Sequence, residues 1–138
     1  MQRMKAEHSV AIRAFDYVAA VAFGVVAAAG AWLITPGGLP MPLAMLVGML
    51  VGSVCALPVL GVFTKLLGGF EIVVMSLQIG MIAGMVGGMA VGDGVLGSWA
   101  AASGLTGVAA MGASVGVVVQ VLLHVTDLRS RGEVDVHE

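Results

Sequence analysis

The sequence predicts an all-α polytopic membrane protein, a compact antiparallel bundle of four transmembrane helices joined by short loops. Three observations carry that expectation. Of 138 residues, 59% are hydrophobic and only 10% are charged, against about 25% charged in an ordinary soluble domain. Mean hydropathy is +1.08, so the chain lacks the polar side chains needed to cover a water-facing surface. The apolar residues fall into four runs, each near or above the roughly 20 residues that a helix needs to cross the hydrocarbon layer.

The first run, residues 17–34, reads YVAAVAFGVVAAAGAWLI. Arg3, Lys5 and Arg13 precede it, as in a secretory leader, but its apolar length exceeds the usual core of such leaders, which favours a retained span. TPGGLPMP then breaks the helix, since adjoining Pro and Gly residues make turns. The second run covers 43–67 and contains Pro58, which deletes one backbone donor and bends a helix. KLLGGFE links it to the third run, 72–91, and GDG closes that one. The fourth, 98–125, is long enough to tilt or emerge. Residues 126–138 read as a short, mobile polar tail. No link is long enough to hold a second domain, so residues 1–138 form a single transmembrane unit.

Charge orients the bundle. All six Lys and Arg residues, at positions 3, 5, 13, 65, 129 and 131, fall on the side shared by the two termini and the middle link. The positive-inside rule places that side in the cytoplasm, and a cell inner membrane is the expected location, although the charge pattern itself gives only topology. The net charge of -2 and the lack of a basic stripe exclude a nucleic-acid surface. A single cysteine, Cys55, excludes an intrachain disulfide.

The third run holds the most specific pattern, QIGMIAGMVGGMAVGDG. At 100° per residue, Glu71, Met75, Gln78, Met85 and Met89 share one face, with Met81 at its edge and Asp93 continuing it past the helix end. Gly80, Gly84, Gly88 and Gly92 recur at four. Such small-xxx-small rows let two helices approach closely, either within one chain or between copies. The second run repeats the pattern with Met41, Met45 and Met49 beside Gly48 and Gly52, and Cys55 follows in the same arc. The fourth contributes Gly112 and Gly116, together with Met111, Gln120 and His124. Tyr17, Trp32 and Trp99 read as interface anchors.

Thioethers are soft donors suited to Cu(I). A row of them can pass an ion stepwise, binding weakly and repeatedly, with Glu71 and Asp93 at the two mouths. Met81, Met85 and Met89 are the first candidates, joined by Met45, Met49 and Cys55. Gln78, within the hydrocarbon, needs a hydrogen-bonding partner and is expected to face another helix. Equally, methionine fills irregular space opposite glycines without any ion. The MxxxM spacing of MPLAMLVGM and MIAGMVGGM and the GxxxG of GMIAG resemble short pieces of the Ctr copper transporters. The chain departs from that family in having four expected spans rather than three, both termini inside and no Met-rich amino-terminal domain, so no site is carried over.

No HExxH, CxxC, GxGxxG or P-loop motif is present, and no catalytic constellation emerges, so an enzyme is not expected. Two functional readings remain. One is a small oligomeric transporter or channel for a soft metal ion such as Cu(I), which would be its cargo. The other is a non-catalytic structural or assembly subunit, embedded in lipid as a homo-oligomer or within a larger membrane complex.

Overall fold

A computed structural model describes the backbone of residues 2–67, 70–92 and 94–134, and the side chains of 13–65, 73–92 and 94–127. The described chain is all-α, with α1 Gln2–Ile34, α2 Met41–Leu67, α3 Phe70–Met89 and α4 Val95–Val134. Three helices carry stretches long and apolar enough to cross a membrane, Arg13–Ile34, Met41–Lys65 and Val95–Asp127. The protein is therefore an α-helical integral membrane protein. In α3 the described apolar stretch is shorter, Val73–Met89, although the helix has 20 residues and so runs about 30 Å.

Helix limits differ from those that hydropathy sets. The helix of α1 begins fifteen residues before Tyr17, at Gln2, and α4 continues past Val125 to Val134. Hydropathy marks where lipid can be, whereas helical hydrogen bonding continues into polar sequence beyond it. Residues 135–138 and Asp93 lie outside the described residues. Within α4, Gly104 takes φ 63° and ψ −156°, outside the helical region and open only to glycine. The fourth expected span is thus two helical pieces meeting at a kink. Pro58 is accommodated inside α2. The α1–α2 turn is closed by Gly38 at φ 81°, and Pro40 accepts hydrogen bonds from Leu43 and Ala44 at 2.9 and 3.0 Å.

The order is up-down-up-down. Gly24 and Ala20 of α1 lie against Gly112 and Gly116 of α4, a descending register that makes this pair antiparallel. Gly48 and Gly52 of α2 meet Gly84 and Gly80 of α3 in the same sense. Contact is most extensive between α2 and α3, then between α1 and α4; α1 also packs on α3 and α2, and among the described residues α2 does not meet α4. In cross-section the bundle is a rhombus with α1 and α3 on its short diagonal. Its core has two parts. Nearer the termini, Phe23 and Ile79 pack with Ala19, Ala20, Ala56 and Val119, and the Phe23 and Phe63 rings stand 5.8 Å apart. Towards the other end the core is almost all alanine, with Val108 and the half-buried Trp32. Trp32 is thus a packing residue as well as a boundary one.

Candidate functional site

The glycine rows meet inside the chain. A Cβ built on Gly48 would lie 2.5 Å from the Gly84 carbonyl oxygen and 2.7 Å from Gly88 Cα. One on Gly52 would lie 2.6 Å from the Gly80 oxygen, and one on Gly88 would strike the Ala44 carbonyl. These helices therefore touch backbone to backbone, the geometry in which dispersion and Cα–H···O contacts operate. Gly112 and Gly116 do the same against Gly24 and Ala20. Gly92, past the end of α3, has ordinary room, with its nearest outside atom at 3.7 Å. Across the short diagonal, Gly87 lies directly on the backbone of Ala28, and this contact fills the centre of the bundle.

The described serine hydroxyls within the helices bond locally rather than across the seams. Ser53, Ser76, Ser103 and Ser114 each donate to a carbonyl three or four residues earlier in their own helix, at 2.7–2.9 Å. Such back-bonding satisfies the hydroxyl locally and leaves helix association to shape.

The methionines lie beside the seam rather than within the bundle. On α3 the buried positions Ile79, Ala83 and Gly87 point to α1 and α4, while Gly80, Gly84 and Gly88 point to α2. Met81 and Met85 follow on the far side of the glycine row, both half-buried. On α2, Met45 and Met49 are half-buried too and occupy the matching flank. The antiparallel register that seats Gly48 between Gly84 and Gly88 sets Met49 level with Met85 and Met45 level with Met89. Met75 instead packs against the core around Phe23, so the row divides between two environments.

Cys55 does not join these four. It is half-buried and faces α1, where a Cβ on Gly30 would lie 2.6 Å from its Sγ, on the other flank of α2. Gln78 is exposed, so the helix it is expected to face is not supplied by the described helices of this chain. The bundle's inner positions on α3 go to Ser76, Ile79 and Gly80, and Gln78 falls on the opposite side. Glu71 and Asp93, the proposed mouths, lie outside the described side chains. Among the described residues no group of three or more His, Cys, Asp and Glu gathers as a metal site.

Two further polar side chains, Gln120 and Thr35, have buried oxygens. In α4, Gln120 is half-buried and its Oε1 is buried without a hydrogen-bond partner. The Gly112–Gly24 and Gly116–Ala20 steps place it level with Asp16. Thr35 Oγ1, at the end of α1, is likewise buried without a partner. His124 is half-buried one turn beyond Gln120. Where α1, α3 and α4 end together, an open cleft of about 490 Å³ is lined by Trp32, Val91, Gly94, Gly97, Ser98 and Ala101. It presents no ionisable side chain among these.

No protein-family model matches the chain, and neither a curated protein nor a solved structure matches it.

Proposed function

We propose that this chain is a non-catalytic membrane subunit that acts through its outer helix faces, docking copies or partners within the bilayer. In this reading α3 is a fourth span and both termini are cytoplasmic, as the Lys and Arg distribution favours. The observation that carries it is the short diagonal. Gly87 on the Ala28 backbone closes the bundle axis at that level, which favours a role at the outer faces over a path through a single copy. The test is reconstitution in proteoliposomes with Cu(I) or Ag(I) outside. Uptake equal to that of empty liposomes is the expected result, and protein-dependent uptake would count against the assembly role.

One observation favours soft-metal transport as a second reading, with the path between copies. Met45, Met49, Met81 and Met85 share one outer flank, and thioethers suit Cu(I) as cargo. Under that reading, replacing Met81, Met85 and Met89 together by Leu abolishes flux while assembly persists.

A further inference from the structure

α3 carries two polar side chains along its described apolar stretch, and the fold treats them oppositely. Ser76 is buried, and its hydroxyl donates to the Val73 carbonyl at 2.9 Å. Gln78 is exposed, and among the described residues no hydrogen bond reaches its amide. It stands eight residues into the helix that begins at Phe70, about 12 Å along it, and so well inside a hydrocarbon layer of roughly 30 Å. Lipid tails offer an amide neither donor nor acceptor, and an unsatisfied polar group there costs several kcal/mol.

The surroundings of Gln78 form a docking face. Val74, Leu77 and Ile82 are 43%, 49% and 44% exposed, and Met81 and Met85 are half-covered. Val74, Gln78, Met81 and Met85 are spaced four, three and four, the seam of two helices that cross at a shallow left-handed angle. Residues 73–89 contain no charged side chain, so two such faces do not repel.

We propose that this face of α3 docks a second copy of the same chain, with the two Gln78 amides hydrogen-bonded to each other. The occupant must present a donor and an acceptor at the same depth amid apolar side chains. A copy related by a twofold axis along the membrane normal does so, because a primary amide is its own complement. Polar side chains at single seam positions fix register in this way. The proposal rests on the reading that the outer faces are the working surfaces, and it names the partner.

The experiment uses the full chain in mild detergent, with mass measured by sedimentation equilibrium over a range of protein-to-detergent ratios. The parent is expected to be a dimer. Gln78→Leu is expected to raise the dissociation constant by about 3- to 30-fold, the range for one interhelical polar contact, and Gln78→Asn to retain most of the affinity. Helix content of Gln78→Leu should match the parent, since the side chain is exposed within one copy. In a Cys55→Ser background, Val74→Cys and Met85→Cys should cross-link between copies, and Leu50→Cys or Val118→Cys, on other outer faces, should not. A parent that is monomeric at every ratio, unchanged association of Gln78→Leu, or equal cross-linking at Val118 overturns the dimer. A monomer that binds a different membrane protein overturns the dimer and leaves the assembly role standing. A dimer that conducts Ag(I) does the reverse.

Discussion

Replacing Gly48 by Ala tests the α2–α3 seam with one methyl group. That methyl carbon would lie 2.5 Å from the Gly84 carbonyl oxygen, 2.7 Å from Gly88 Cα and 2.9 Å from Gly88 N. A close carbon–oxygen contact needs about 3.3–3.6 Å, so the helices must part by about 1 Å. All three obstacles are backbone atoms and cannot swing aside. Such overpacking costs about 1–3 kcal/mol. Parting the seam also weakens its Cα–H···O contacts at about 0.5–1 kcal/mol each; losing two adds about 1–2 kcal/mol. Greater helix propensity of Ala returns about 1 kcal/mol, which leaves a net loss of about 1–4 kcal/mol. Gly61→Ala is the internal control, because a Cβ at Gly61 meets nothing within 4 Å. It keeps the propensity gain without the clash and should range from neutral to about 1 kcal/mol stabilising. The assay is unfolding in mixed micelles of rising SDS content, followed by circular dichroism. Equal midpoints for the two variants would refute a backbone-to-backbone seam.

Three other outcomes follow from the same packing. Gly24→Ala disturbs the α1–α4 seam, and among the described residues α2 and α4 do not touch, so its cost should add to that of Gly48→Ala within about 0.5 kcal/mol in the double variant. Phe23→Ala, which empties a fully buried position beside Phe63, should cost about 3–5 kcal/mol in the same titration. Gly104→Ala has open space around its new methyl but inherits φ 63°; it should lose about 1–3 kcal/mol or straighten α4, and a shift in Trp99 emission would report the straightening.

Composition made the membrane class and the helical runs legible, because charge-poor segments of this length have few other fates in water or lipid. What hydropathy could not supply was anything decided by partners. The row Gly80, Gly84, Gly88 announces close packing, but only the matching row Ala44, Gly48, Gly52, Ala56 on α2 selects its mate. Gly104 is one glycine among many in α4, and nothing local separates it from Gly107 or Gly112 as the site of the kink. Gln78 is legible as a side chain that needs a partner, but nothing local says whose helix supplies it. A polar side chain within a span seeks protein, but that protein need not be its own chain. The methionine face was legible as a face, yet its direction depended on which side α1 chose. That choice falls to Ile79, Ala83 and Gly87, which are buried against α1 and α4 and taper from a branched side chain to bare backbone.

The same choice accounts for methionine standing beside glycine. Two helices that meet on bare backbone leave a crevice along each flank of the contact. On one flank α1 fills it, with Ala27 and Ala28 buried and Gly87 against Ala28. On the other no helix of this chain arrives, and the crevice must be covered by side chains from α2 and α3 themselves. Those side chains have to be long, unbranched and able to bend over an uneven floor. Met45, Met49, Met81 and Met85 meet that demand, and the branched Leu and Ile residues of the outer faces conform less readily. The packing therefore explains the four thioethers without an ion. Replacing Met81 and Met85 by Leu should accordingly shift the SDS midpoint by less than about 1.5 kcal/mol per site, with helix content unchanged. A larger loss would mean that the flank needs thioether flexibility more than the half-exposure of these residues implies. Unchanged stability together with lost Ag(I) binding would transfer their role from packing to ligation.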